Sequence, residues 1–330
     1  MLLSFLEYLN EEEKKTQSVG SDPKGKLHEL LVGYHLRNGN HMSKHKDDGK
    51  HSPKEAHDLI KSSLSKEDYD KINERAKAAA EDIKKHLKKH GHKIDDVHWT
   101  SKEGDIENST GIKSSQKEDA SDIIIHAKDK KGKRVFHGIS LKVTDSKSKN
   151  VPVSNPGMET TYGAQKILER HREKIKKKYP QLNISKKAER KRIVKEDPQL
   201  ASELKSLHGK ALNDITEHLH NHLSSMHSKD LAEHIRKHVL QSHKTPMQTQ
   251  GHHHIRHTTY VGKDNSHAFH SIDPHEHYEN ILKDHKNITT ERRGTSIIFK
   301  HKGKAFAKHR LKFESQSDPM SSVKGSGEPM

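Results

Sequence analysis

The chain has 330 residues, 62 of them Lys or Arg against 46 Asp or Glu, which gives a net charge of +16 with neutral histidines. It contains no cysteine, which excludes disulfides and thiolate metal centres, and no apolar run approaches the ~20 residues that span a bilayer, so no membrane partner is expected. With 28% hydrophobic and 33% charged residues, the composition is lean and predicts a small core with exposed segments.

Residues 1–11, MLLSFLEYLNE, place Leu2, Phe5, Leu6 and Leu9 on one side of a short amphipathic helix. They lack the basic start and small-residue cleavage site of a secretory signal. Residues 12–25 contain the polar, breaker-rich TQSVGSDPKG and read as a linker. In KLHELLVGYHLR the spacing of Leu27, Leu30, Leu31 and Tyr34 predicts the first core helix. Residues 38–53 form a loop that ends at Ser52-Pro53, a helix start. Ser65 caps a second predicted helix over 66–90, rich in alanine and broken at KHGHK. IDDVHWTSK reads as a strand and GDIENSTGIKSSQKED as a loop.

The most informative stretch follows, SDIIIHAKDKKGKRVFHGISLK, two apolar runs joined by a turn-like KDKKGK with Gly132 as its flexible position. Because side chains alternate along a strand, Ile139, Leu141 and Val143 point one way and Ser140 and Lys142 the other. DSKSKNVPVSNPG is a loop, residues 162–178 a helix, and 185–242 helical throughout, with Leu200, Leu204, Leu207, Leu212, Ile215 and Leu219 at near-helical spacing. From 257 the pattern turns to strands, GTSIIFKHKG and KAFAKHRLKFES forming a hairpin, and SDPMSSVKGSGEPM reads as a loose tail. The predicted organisation is a core over 26–180, a basic helical subdomain over 181–245, a β-rich part over 246–316 and a flexible tail over 317–330.

A lysine on the polar face of a buried strand, beside a strand that opens on a carboxylate, is costly to maintain without a task. Asp122 holding a divalent metal, with Lys142 near a scissile phosphate, would be such a task. Asp122 followed by Ser140-Leu141-Lys142 resembles the motif of the PD-(D/E)xK nucleases, and Glu29 matches the glutamate that many members carry on the helix before the sheet. The resemblance covers residues 26–180. It implies an α/β (α+β) restriction-endonuclease-like core, a mixed sheet flanked by helices, here with an inserted helical subdomain and a C-terminal β-hairpin. It also implies a Mg²⁺-dependent endonuclease, with Mn²⁺ able to substitute, in which Asp122 and Glu29 bind metal and Lys142 serves the attacking water. Ser140 stands where the family usually has a second acid, and Glu159 or Glu169 would then be recruited from the following segment. Asp119, just before the strand, competes with Asp122, and Asp105 and Glu107 are further acids in the preceding loop.

The basic charge favours double-stranded DNA held by its phosphates. The runs carrying Lys174, Lys176, Lys177 and Lys178, and Arg190, Lys191 and Arg192, are the expected contacts, and a homodimer stays open. The leader with its Leu9-Asn10-Glu11 triplet is similar to capsid-targeting leaders of myoviral phage internal head proteins. That similarity implies cleavage after Glu11 by a prohead protease, and residence in the virion head and the host cytoplasm. The alternative function is a non-catalytic basic DNA-binding internal protein on a degenerate nuclease fold. The 32 histidines are expected mostly at the surface, where their protonation near pH 6 would tighten DNA binding. GHHHIRH at 251–257 and EHLHNHL at 217–223 are candidate transition-metal binders.

Overall fold

Helix α1 (Pro23–Leu36) opens the part of the chain described by this computed structural model, residues 23–43 and 51–330. The leader reading at Leu9 and Glu11 and most of the expected linker lie outside the described residues. α1 buries Leu27, Leu30, Leu31 and Leu36 and leaves Glu29 partly exposed on its flank. α2 (Pro53–Ser62) begins where expected, because Ser52 and Glu55 form a capping box. The Ser52 hydroxyl accepts from the Glu55 amide while the Glu55 carboxylate accepts from the Ser52 amide at 2.7 Å. Ser65 likewise caps α3 (Lys66–Lys89), whose buried stripe is Ile72, Ala76, Ala79, Ala80, Ile83 and Leu87.

β1 (Lys93–Trp99) follows, then a short helix α4 (Asp105–Thr110) in the stretch expected to be loop, then β2 (Ile123–Lys128) and β3 (Arg134–Val143). The β2–β3 turn is built as its sequence suggests. Asp129 accepts from the amides of Lys131 and Lys133, both at 2.8 Å, and Gly132 takes the left-handed conformation (φ +78°). The sheet is completed by β4 (His253–Val261), which runs parallel to β3, and β5 (His267–Ile272), antiparallel to β4. The order is β1-β2-β3-β4-β5, a mixed sheet. One face, with Val97, Trp99, Ile123, Ile125, Ile139, Leu141 and Ile255, packs on α1, α2 and α3. The other carries Ile124 and Phe136 against Ile106, Ile112 and Met247.

The chain divides into two compact units; the boundary drawn from sequence at 180 does not coincide with them, while the one at 245 falls three residues past Ser242, where the second unit's first segment ends. The first runs to Val151 and resumes over His243–His277; the second is Pro152–Ser242 with Tyr278–Met330. The helical insertion thus leaves the first unit after β3 and returns just before β4. β4 and β5, read as part of a separate β-rich segment, belong to the first sheet.

In the second unit α5 (Gln165–Lys178), α6 (Lys187–Glu196) and α7 (Pro198–Ser225) enclose Ile175, Tyr179, Leu182, Val194, Leu200 and Leu204. A four-stranded antiparallel sheet completes it, in the order β6 (Ile288–Arg293), β7 (Ser296–His301), β8 (Lys304–Phe313), β9 (Val323–Pro329). The β7–β8 hairpin is the expected one. Among the described residues no helix is long and apolar enough to cross a membrane.

The expected loose tail is instead structural. β9 pairs with β8 from Ala307↔Pro329 to Phe313↔Val323, and Val323 and Ser326 are buried. Its glycines permit close approach: a Cβ on Gly325 would lie 1.9 Å from His309 Nε2, and one on Gly327 would lie 2.2 Å from the Val239 carbonyl oxygen. Asp318, also in this segment, is buried and receives the Arg190 guanidinium at 2.9 Å. A buried charge left without its partner is strongly destabilising. Asp318→Ala is therefore expected to cost ~3 kcal/mol or more in the unfolding transition of the second unit. Denaturant unfolding followed through that transition measures it, and a midpoint equal to that of the parent would place the tail outside the cooperative fold.

Candidate active site

Asp122 sits immediately before β2, at the point where its backbone is pinned from both sides. Its amide donates to the Ile139 carbonyl at 2.9 Å, and its own carbonyl accepts from the Thr100 amide at 3.2 Å. The β2–β3 register, with Ile123 opposite Ile139 and Ile124 opposite Gly138, continues to set Asp122 beside Ser140. The Asp122 carboxylate accepts from the Leu141 amide at 2.6 Å and lies 3.5 Å from Lys142 Nζ. Both side chains keep about a fifth to a quarter of their surface open, 24% and 22%. The pair read from the sequence therefore meets, and it is reachable from solvent.

Glu29 joins it from α1. Trp99 Nε1 donates to its carboxylate at 3.4 Å. Burial pushes the Glu29 carboxyl up to about 8, the negative charge of Asp122 pushes in the same direction, and Lys142 and the Trp99 hydrogen bond oppose them. Two carboxylates are thus held close enough to repel each other beside one lysine. A divalent cation relieves that repulsion, and hard oxygen donors are what Mg²⁺ takes. Mg²⁺ is commonly bound by only one or two carboxylates plus waters and substrate phosphate, so the donor set of Glu29 and Asp122 fits it.

The remaining residues fall out differently. Ser140 is buried on β3, on the Lys142 face, and in the parallel β3–β4 register its neighbour is Arg256, also buried. Where the motif leads one to expect an acid, the sheet supplies a hydroxyl beside a guanidinium. Asp119, the rival acid, is buried and engaged elsewhere. Burial pushes its carboxyl up, but hydrogen bonds with His254 and Ser121 hold it below the usual carboxylate range. Asp105 accepts from the Lys102 amide at 2.9 Å, and Glu107 is exposed on α4. Glu159 belongs to the second unit, where Arg172 donates to it at 2.9 Å, and Glu169 there accepts from Gln165. Trp99 and Arg256 were not singled out from the sequence. A tryptophan closing a strand could have been read as a donor, whereas Arg256 becomes a neighbour of Ser140 only through a pairing across more than a hundred residues.

Of the basic residues expected to meet DNA, Lys174, Lys176, Lys177 and Lys178 are exposed along α5, Lys178 being paired with Glu203 at 2.7 Å. Lys191 is half-buried, and Arg192 is exposed and pairs with Glu196 one turn on. Arg190 is a correction. It is buried, its guanidinium shared between Asp318 and the carbonyls of Ile184 and Ser185, so it serves the fold. The histidines are a second correction. Among the described residues ten are buried: His28, His57, His98, His126, His137, His171, His208, His254, His257 and His309. Burial, reinforced by neighbouring cations and imidazoles, drives His28 and His309 down to about 3 and His171 and His208 to about 4. Such groups stay neutral at pH 6 and add nothing to the positive field.

No protein-family model, curated protein or solved structure matches the chain.

The raised Glu29 carboxyl has a consequence for stability. Between the ordinary carboxylate range and about pH 8 the folded chain holds a proton that the unfolded chain has released. Stability therefore falls as pH rises through that window and levels off above it. Glu29→Gln removes the titration, so without metal the variant should unfold at a higher temperature than the parent at pH 9 and by a smaller margin at pH 5. Thermal melts at the two pH values read the difference. An identical margin at both would mean that Glu29 ionises normally.

Proposed function

We propose that the chain is a metal-dependent DNA endonuclease of the PD-(D/E)xK kind. The observation that carries the reading is the convergence of Asp122, Lys142 and Glu29, three residues that come from two strand ends and a helix. The topology supports it as well. The mixed sheet of the first unit, with helices packed on it, agrees with the mixed sheet flanked by helices that the resemblance implies.

In this reading Asp122 and Glu29 hold Mg²⁺, or Mn²⁺ in its place. When bound, the ion would polarise the scissile phosphate and lower the pKa of a water. Lys142 stands beside Asp122 with its ammonium partly open to solvent, so it can orient the attacking water and offset charge on the phosphate in the transition state. The hydrogen bond from the Leu141 amide fixes one Asp122 oxygen, leaving the other for a ligand. Trp99 orients Glu29. The exposed lysines of α5 and the net charge of +16 supply salt-sensitive affinity for duplex phosphates that is indifferent to sequence. The leader similarity extends the proposal to a phage protein packaged in the virion head.

Ser140 favours the second reading, a non-catalytic DNA-binding internal protein, because a hydroxyl is a far weaker Mg²⁺ ligand than a carboxylate. Nicking of supercoiled plasmid by the purified protein decides between them. With Mg²⁺ or Mn²⁺ the parent is expected to nick, and Asp122→Ala and Lys142→Ala are each expected to lose ~100-fold or more. Both variants should keep their affinity for random duplex, which should weaken steeply with salt in parent and variants alike. Full activity in either variant refutes the assigned site. Binding without any metal-dependent cleavage by the parent returns the protein to the second reading.

A further inference from the structure

Away from Asp122 and Lys142, three imidazoles meet near the opposite end of the first sheet. His92 directly precedes β1, His137 is in the first half of β3, and His253 opens β4. One ring nitrogen from each lies within 4.8 Å of the other two. His137 Nε2 is 2.9 Å from His92 Nδ1, and the His137 and His253 rings stack with centroids 4.7 Å apart and planes 16° apart.

The backbone accounts for the meeting. The parallel register pairs His137 with His253, and residues paired side by side share a face of the sheet. His92 is delivered by the way α3 ends. Gly91 adopts the left-handed conformation (φ +75°), and the His92 amide donates back to the Leu87 carbonyl at 3.0 Å. The flanking histidines of the same run are turned away: His252 Nδ1 accepts from the Phe136 amide, and His254 Nδ1 lies 3.2 Å from Ser121 Oγ. His137 is buried, His92 half-buried and His253 exposed, so the cluster has a floor and a mouth. The acids Asp129, near His92, and Asp273 and Glu276, near His253, offset positive charge there.

We propose that His92, His137 and His253 bind one divalent transition-metal ion of the Zn²⁺ class, with water in the fourth position. Zn–N bonds of about 2.0–2.1 Å in a tetrahedron set neighbouring ligand nitrogens ~3.3 Å apart, close to the spacing already present between His92 and His137. Three imidazoles with no thiolate suit zinc, nickel or copper rather than Mg²⁺. The site is separate from the nuclease reading: His137 and Lys142 stand five residues apart on β3, roughly 17 Å, and none of the three histidines serves that chemistry. The ion would clip the α3–β1 junction and β3 to β4, the strand that the chain adds only after its helical insertion, so binding it couples to folding of this unit.

The test uses full-length, metal-stripped protein, titrated with Zn²⁺ by calorimetry and melted with and without it, without DNA. One site of low-micromolar affinity or tighter is expected, with a rise in melting temperature of several degrees. Co²⁺ bound there should give the visible absorption of a tetrahedral ion. His253→Ala, which changes an exposed side chain, and His92→Ala should each weaken Zn²⁺ at least tenfold and abolish the thermal gain. His222→Ala, exposed on α7, should keep both. Affinity weaker than about 100 µM in the parent, or tight binding unchanged in both His253→Ala and His92→Ala, overturns the site.

Discussion

The pairing register of β2 with β3 is the constraint on which the candidate active site depends. With Ile123 opposite Ile139, the carboxylate that precedes β2 falls beside Ser140 and reaches the Leu141 amide and the Lys142 ammonium. Side chains alternate with a period of two, so a slip of one residue would carry Lys142 to the helix-packed face and Leu141 to the face that now holds Ser140 and Lys142. Two devices oppose such a slip. Asp129 and Gly132 set the turn at one end, and the triple isoleucine of β2 is buried on both faces, which ties each residue to its own neighbours. The same register aligns β3 for its parallel pairing with β4, and so also sets His137 beside His253.

The electrostatics follow from that geometry. α1 packs Leu27, Leu30 and Leu31 under the sheet, which leaves Glu29 at the edge where β1 and β2 present Trp99 and Asp122. Two acids and one lysine then act on one another in a partly dried site, and Glu29 retains its proton chiefly because burial disfavours its charged form, the charge of Asp122 adding to the effect. Carboxyls shifted by burial and a neighbouring charge are concentrated at functional sites.

Local structure was legible in the sequence wherever one residue type had one job. Ser52 and Ser65 capped the helices they were expected to cap, Gly132 made its turn, and the alternation through Ile139, Leu141 and Val143 gave the strand its faces. Asp122, Lys142 and Glu29 were found because they lie in or near one hairpin and one helix. What escaped was non-local. The β3–β4 pairing bridges the whole of 152–242, and with it Arg256 and the His137–His253 contact were hidden. The tail looked loose because glycine and serine usually mean a flexible chain. Here the glycines are small so that β9 can lie against His309 and Val239. Arg190 looked like a surface cation until its partner, Asp318, came from the far end of the chain. The histidines misled for a related reason: neutral imidazole is compact and half apolar, and this chain uses it inside the units as core material.

The central claim is that Asp122 and Glu29 form a single cation site beside Lys142. Anomalous diffraction from crystals of the full chain soaked in Mn²⁺ tests it most directly. The account predicts one strong peak within coordination distance of a carboxylate oxygen from each of Asp122 and Glu29, absent from Asp122→Ala crystals. Ordered density for both carboxylates with no peak between them, or a peak that persists without Asp122, would contradict it.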